Sequence, residues 1–134
     1  MTTQEILTKY KTIAVYGMSG NPSKPAYEIP EFMIEKGYNI IPINPKEEEI
    51  LGKKVYHNLM DVPDKIEILD VFRPSQEAVE VVKQAIERKK AKGDIDVIWL
   101  QLGIYNDEAK ALAEDNAIEF VQNKCLKIEY NKMP

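Results

Sequence analysis

Cysteine and histidine are almost missing from this chain of 134 residues. Cys125 is the only cysteine, so no internal disulfide can form, and His57 is the only histidine. Zinc, haem and non-haem iron sites that combine several such side chains are therefore excluded. A chain without disulfides suits a reducing compartment, and we expect a cytoplasmic protein.

Long hydrophobic runs and an excess of positive charge are missing as well. No stretch approaches the roughly 20 apolar residues that a membrane-spanning helix needs, and the opening MTTQEILTKY lacks the basic start and apolar core of a signal peptide. The net charge is −4, from 18 lysines and arginines against 22 acidic residues. We therefore expect neither a membrane nor a nucleic acid as partner, while a local basic pocket for one small anion is compatible with this balance.

What the chain does contain is a regular alternation of apolar runs with helical patterns. Its length fits one domain, 1–134, with a sizeable core. Thr2 and Glu5 form a capping box that predicts a first helix, and Ser75 and Asn106 are predicted to cap two later helices. The apolar runs predict strands at residues 12–16, 39–43, 66–72, 96–101 and 118–122, with a short extra strand in KKVYHN at 53–58.

Strands that alternate with helices predict a parallel sheet with helices on both faces. Right-handed crossovers then give an α/β, Rossmann-like, doubly wound fold. In such sheets the ligand binds at the carboxyl ends of the strands, at the point where the strand order reverses. The residues that follow each strand are therefore the candidate site.

The loop after the first strand, GMSGNPSKP at 17–25, has the composition of an anion-binding turn. Gly17 and Gly20 let the backbone approach an anion, the serines at 19 and 23 add hydroxyl donors, and Lys24 adds positive charge. The loop matches neither G-x-G-x-x-G nor G-x-x-x-x-G-K-[ST], the two common nucleotide fingerprints. The alternative is a glycine turn that only connects strand to helix.

The end of the second strand distinguishes between nucleotides. An NAD-binding protein needs an acidic residue there for the ribose hydroxyls, whereas this chain has Asn44-Pro45-Lys46. Lys46 suits a ribose that carries an additional phosphate, as in NADP and coenzyme A. The alternative is an ordinary solvated loop lysine.

Phe72 ends the predicted strand 66–72, and Arg73 follows it. The guanidinium group of an arginine pairs with phosphate in a fork, and a phenylalanine ring flanks an adenine or a pantetheine arm. Alternatively, Phe72 is a core ring and Arg73 a surface charge.

Five stretches carry a family resemblance over nearly the whole chain: VYGMSGNPSKPAYEIPEFMIEKGYNIIPINPK, LGKKVYHNL, DVFRPSQE, VIWLQLGIYNDEA and NKCLKIEY. In this order and spacing they resemble the small CoA-binding proteins whose domain is similar to the N-terminal, CoA-binding domain of the succinyl-CoA synthetase alpha subunit. The resemblance implies a domain that holds the 3′-phospho-ADP end of coenzyme A at the switch point of the sheet. The ligand-binding residues that it implies are Gly17, Ser19, Asn21, Ser23, Lys24, Asn44, Pro45, Lys46, Phe72 and Arg73, with Leu102 and Gly103 bordering the pantetheine side.

Two features depart from that family. Asn123 and Lys124 stand where an aspartate and an arginine usually precede the cysteine, which removes any role of that carboxylate. The synthetase also uses an active-site histidine in a second domain, and His57 has no motif around it, so we interpret it as structural or surface.

No convincing catalytic group emerges from the remaining residues. Cys125 lies between Lys124 and Lys127, which would favour a reactive thiol and a mixed disulfide with coenzyme A, but a lone cysteine of this kind is more often a buried apolar residue. Asp70 lies inside an apolar strand and lacks the companion acids of a phosphoacceptor site.

Three functions are compatible with these residues. The leading hypothesis is a coenzyme A or acyl-CoA binding protein without catalysis of its own. The second is a small NADP-dependent oxidoreductase, which Lys46 and Arg73 permit, although the chain contains no Tyr-x-x-x-Lys pattern. The third is an interaction domain that has kept the fold and lost its nucleotide. A protein partner cannot be named from the sequence.

Overall fold

A computed structural model describes residues 1–134, which form seven strands and five α-helices. The helices are α1 (Thr3–Lys9), α2 (Pro25–Glu35), α3 (Ala78–Lys92), α4 (Asp107–Glu114) and α5 (Leu126–Asn131). The strands are β1 (Thr12–Tyr16), β2 (Asn39–Ile43), β3 (Glu49–Ile50), β4 (Lys53–Lys54), β5 (Ile68–Val71), β6 (Val97–Leu100) and β7 (Glu119–Val121).

Five of the strands form one sheet in the order β2-β1-β5-β6-β7, and every pairing between neighbours is parallel. The predicted Rossmann-like α/β fold is therefore confirmed. Strand order reverses between β1 and β5, because the chain moves outward from β1 to β2 and then returns to the other side of β1. The crevice at the carboxyl ends of these two strands is where this fold places ligands.

The extra strand predicted in KKVYHN is mostly wrong. Only Lys53–Lys54 is extended in a ladder, and it pairs with β3 in a separate antiparallel hairpin. Tyr56 adds one isolated parallel bridge to Ile43. The hairpin lies outside the main sheet and follows β2 in the chain.

The strands are buried on both faces, so successive side chains enter two different cores. Ala14, Leu69 and Ile98 belong to the core covered by α3 and α4, while Val15 and Trp99 belong to the core covered by α1, α2 and α5. This alternation explains the nearly continuous apolar runs in the sequence. None of the five helices is long and apolar enough to cross a lipid bilayer.

Two of the three predicted helix caps are confirmed. Glu5 N–H donates to Thr2 Oγ1 at 3.1 Å, and Ala109 N–H donates to Asn106 Oδ1 at 2.9 Å. Ser75 is not a cap: it opens a 3-10 turn before α3, and its Oγ accepts the backbone N–H of Tyr105 at 3.1 Å. Ser75 thus ties the loop after β5 to the loop after β6.

Arg88 stands beside three lysines in the basic last turns of α3, but unlike a surface cation it is buried. Its side chain is 1% exposed and pairs with buried Asp94, with 2.8 Å between Nη2 and Oδ2. Three backbone carbonyls in the segment 59–64 also accept from its guanidinium group. All three nitrogens are therefore used, and the pair holds this segment against the sheet.

We expect Arg88→Met to lower the free energy of unfolding by about 3–5 kcal/mol, because Asp94 would remain buried without its partner. Urea denaturation followed by circular dichroism measures this loss. Lys90→Met is the matched control, since Lys90 is exposed on the same helix and should cost less than about 0.5 kcal/mol. Equal losses in both variants would contradict the structural role of the buried pair.

Candidate functional site

Gly17 follows β1 directly and has a φ of +90°. A Cβ atom at this position would lie 2.8 Å from the carbonyl oxygen of Phe72 and 3.0 Å from Cδ of Arg73. Its N–H donates to the Ile43 carbonyl at 3.0 Å and so does not point toward a ligand. Gly17 therefore allows the ends of β1 and β5 to meet, and does not itself supply an anion donor.

The rest of the first loop is ordered by its own side chains. Asn21 Oδ1 accepts from the N–H of Ser23 at 3.0 Å and from its hydroxyl at 2.8 Å. Ser19 Oγ accepts the N–H of Asn21 at 3.0 Å. These bonds form local Asx- and ST-type turns that place the exposed Lys24 at the start of α2.

The Glu47 carboxylate accepts a hydrogen bond from a backbone N–H of this loop. The sequence did not indicate this contact. The N–H of Gly20 donates to Glu47 Oε2 at 2.8 Å, and a Cβ atom on Gly20 would overlap the Glu47 carboxylate. Glu47 lies three residues beyond the second-strand end Asn44, so no pattern in the chain points to this contact. A carboxylate of the protein thus accepts from a backbone N–H of the loop that the sequence predicted to bind an anion.

Asn44 connects the two loops. Its Oδ1 accepts the N–H groups of Lys46 and Glu47 at 2.8 and 3.1 Å, and its Nδ2 donates to the Met18 carbonyl at 2.8 Å. Asn44 is therefore a structural element of the site, while Pro45 and Lys46 are exposed at its edge.

The larger of the two clefts that border Arg73 has a volume of about 630 Å³ and lies between the start of α2 and the ends of β5 and β6. Four of its residues were predicted: Lys24, Phe72, Arg73 and Leu102. Leu102 is 62% exposed although it is apolar, so a ligand could cover it. The residues that sequence reasoning did not assign to this cleft are Pro25, Ala26, Glu28, Ile29, Pro74, Gln101, Ile104 and Cys125.

The smaller cleft, of about 330 Å³, lies above the ends of β1 and β2. Its predicted members are Gly17, Asn44, Pro45 and Arg73, and its unpredicted members are Tyr16, Ile43, His57, Asn58, Glu77 and Gln84. Arg73 borders both clefts. Its guanidinium group is held at 3.1–3.2 Å by Glu77, and both side chains are nearly half exposed.

Five predicted site residues line neither cleft: Ser19, Asn21, Ser23, Lys46 and Gly103. The first four lie in the loops beside the clefts. Gly103 lies in the loop after β6 with a φ of +86°. Its N–H donates to Asn123 Oδ1 at 2.7 Å.

The two side chains with the most reactive chemistry lie apart. Cys125 is 8% exposed and lines the larger cleft, whereas His57 lines the smaller one and contacts Glu48 at 3.0 Å. His57 is exposed, as the surface interpretation predicted. No group of three or more potential metal ligands comes together in the chain.

Asp70 is the most unusual polar residue near the site. It lies in the middle of β5 with no exposed surface, and its Oδ1 accepts from Gln101 Nε2 at 2.7 Å. Its Oδ2 has no hydrogen-bond partner. Burial raises the pKa of Asp70 to about 8, against the smaller lowering effect of the hydrogen bond from Gln101.

Comparison with known proteins gives consistent relatives. Residues 11–131 match the family described as "CoA binding domain". The uncharacterized protein YneT of Bacillus subtilis (strain 168) is 32% identical over 127 residues, covering 95% of this chain and 90% of that protein. The alpha subunit of ADP-forming acetate-CoA ligase I from Pyrococcus furiosus is 31% identical over 132 residues, covering 92% of this chain.

The chain spans 28% of the length of that ligase subunit. A solved structure of a hypothetical protein from Pyrococcus horikoshii OT3 superposes with a TM-score of 0.89 and 37% identity, over 99% of this chain and 92% of that one. The chain thus resembles small proteins over nearly their full length and corresponds to one part of a larger ligase subunit.

Because the carboxyl group of Asp70 is buried, we expect the free energy of unfolding to fall as the pH rises. Between the ordinary value of 3.8 and about 8, the unfolded chain has released the proton of Asp70 while the folded chain retains it, so stability falls as pH rises through this window. We expect Asp70→Asn to remove this slope. The free energy of unfolding of the variant, relative to that of the parent, should therefore rise by about 2–4 kcal/mol from about pH 5 to about pH 8. Denaturant titrations at both pH values measure the difference. Parallel profiles for the two proteins would contradict it.

Proposed function

Because this chain belongs to the CoA binding domain family, we propose that it binds coenzyme A or an acyl-CoA at the carboxyl ends of β1, β2 and β5. The observation that carries the proposal is the pair of clefts that meet at Arg73. Coenzyme A has a phosphorylated nucleotide at one end and a long amide-containing arm at the other. These two ends would fit two clefts that meet at a cation.

The smaller cleft suits the nucleotide, since polar side chains and backbone dominate its lining. The larger cleft suits the arm, because half of its 12 lining residues are hydrophobic. Phe72, Leu102 and Ile104 provide the apolar surface on the β5 and β6 side. The diphosphate would then pass Arg73 and the start of α2.

Three cations are available for the phosphates. Lys24 and Lys46 are exposed and form no ion pair with another side chain. Arg73 does have a partner in Glu77, but an exposed pair of this kind is weak and exchanges for a phosphate at little cost. Lys46, at the tip of the second loop, is the residue that we assign to the 3′-phosphate.

We propose binding without catalysis, and the positions of the reactive side chains support this. Cys125 and His57 line different clefts, so neither serves as base or nucleophile to the other. A carrier, sensor or buffer of coenzyme A would need only the two clefts and the three cations.

Lys46→Ala tests the 3′-phosphate assignment. We expect it to weaken coenzyme A binding by about 1.5–3 kcal/mol, the usual value for a hydrogen bond to a charged group, and to leave dephospho-CoA binding unchanged. Calorimetric titration of both ligands measures the difference. Lys83→Ala, which removes an exposed lysine from the outer face of α3, is the charge-matched control.

The same titrations separate the proposal from its alternatives. Equal affinities for coenzyme A and dephospho-CoA would refute the role of Lys46, and tighter binding of NADPH than of coenzyme A would favour an oxidoreductase. If no nucleotide bound below about millimolar concentration, the chain would be an interaction domain.

Glu47→Gln tests whether the protein's own carboxylate competes with the phosphates. The variant keeps an acceptor for the Gly20 N–H but removes the negative charge beside the phosphate site. We expect coenzyme A to bind about five-fold more tightly, a gain of about 1 kcal/mol. Glu49→Gln makes the same change of net charge at an exposed position in β3 and should have little effect. Weaker binding in Glu47→Gln would mean instead that the carboxylate orders the loop for the ligand.

A further inference from the structure

A buried carboxyl lies beneath the larger cleft, with one side chain between it and the ligand space. Asp70 stands in register with Val15 of β1 and Trp99 of β6, where the neighbouring strands carry apolar residues. An unpaired polar atom in such a place costs free energy that a leucine or valine would not. The only side chain that contacts the carboxyl by a hydrogen bond is that of Gln101.

Gln101 connects this carboxyl to the cleft. It follows β6, is 3% exposed and is part of the cleft lining. Its Nε2 donates to Asp70, and no protein group donates to its Oε1. Asp70 Oδ2 is the one fully enclosed side-chain oxygen or nitrogen without a partner. Since Oε1 of Gln101 also lacks a partner and is not enclosed, it is open to the cleft.

The two ends of a carboxamide have opposite hydrogen-bonding character. An ionised carboxylate only accepts, so it holds the NH₂ end of Gln101 and leaves the carbonyl end for the cleft. A neutral carboxyl group has a proton to donate, and the carbonyl end of Gln101 is the acceptor within reach. Rotation of the amide by half a turn then presents the NH₂ end to the cleft.

We propose that Gln101 contacts the amide-bearing arm of the ligand, and that Asp70 is its positioning residue, which sets whether Gln101 offers the arm a donor or an acceptor. This inference rests on the proposed function and extends it to the specificity of the arm. The arm of coenzyme A contains secondary amides, which provide both N–H and C=O groups. With Asp70 neutral, Gln101 donates to a carbonyl of the arm; with Asp70 ionised, it accepts from an N–H.

The other titratable groups around Asp70 do not account for its raised pKa. Helices α1, α2 and α5 cover this side of the sheet. The titratable groups that they and adjoining segments bring to this core or cleft are Tyr10, Lys24, Tyr27, Glu28, Tyr38, Arg73, Cys125, Glu129 and Tyr130. None of them shifts the pKa of Asp70, whose causes are burial and the bond from Gln101.

The test compares two ligands that differ in the arm. S-methyl-CoA contains the arm without a titratable thiol, and the methyl ester of 3′-phosphoadenosine 5′-diphosphate keeps the same phosphate groups but lacks the arm. Their affinities for the full chain are measured by calorimetry at about pH 6.5 and about pH 9.5, on either side of the Asp70 pKa. The ratio of the two affinities cancels the titration of phosphates and lysines that both ligands contact.

We expect the ratio in the parent protein to change by about five-fold or more between the two pH values, and to stay constant in Asp70→Asn, whose side chain does not titrate. Gln101→Leu should lower the ratio at both pH values and also abolish the pH dependence. In the parent protein without ligand, the side-chain amide resonances of Gln101 should shift with a midpoint near 8. This last measurement needs no variant and remains informative if Asp70→Asn fails to fold.

A ratio that does not change with pH in the parent, or the same change in Asp70→Asn, would overturn this inference and leave the proposed function intact, provided that the ligand without the arm binds. A ratio unaffected by Gln101→Leu would do the same. If neither ligand binds, the proposed function fails and the inference fails with it.

Discussion

The ends of β1 and β5 touch where Gly17 faces the backbone of Phe72, and there is no room for a side chain between them. This contact brings Arg73 to the border of two clefts, one on each side of the strand-order reversal. A larger residue at position 17 would separate the two strand ends and with them the two clefts. Gly17 therefore contributes to the site through packing and not through a hydrogen bond to a ligand.

Side-chain hydrogen bonds preorganise the two loops around that contact. Asn21 shapes the first loop, Asn44 joins it to the second, and Glu47 holds the Gly20 N–H. Loops fixed in this way lose little conformational entropy when a ligand binds. In the proposed binding mode, the negative charge of Glu47 would oppose a phosphate at this loop while its hydrogen bond to Gly20 stabilises the ligand-free loop.

Two buried polar pairs illustrate opposite roles of polar side chains in the interior. Arg88 and Asp94 have their nitrogens and oxygens in hydrogen bonds, and they hold a segment of chain in place. Asp70 and Gln101 leave one oxygen of the carboxyl without a partner and one amide atom open to the larger cleft. The first pair is complete without a ligand. The second keeps one amide atom of Gln101 available for a group in the cleft, which is why we connect it to ligand recognition.

The sequence alone determined the parallel α/β architecture and the family, because the period of apolar residues and the order of the loops are local properties of the chain. It also predicted four residues that line the larger cleft, Lys24, Phe72, Arg73 and Leu102, since each lies at a strand end or at the start of a helix on the carboxyl edge of the sheet. Only the tertiary structure decided that Arg88 is buried, that Glu47 reaches Gly20, and that Asp70 underlies Gln101. These contacts join residues that are 6, 27 and 31 positions apart, and no local pattern specifies which side chains meet when a sheet closes.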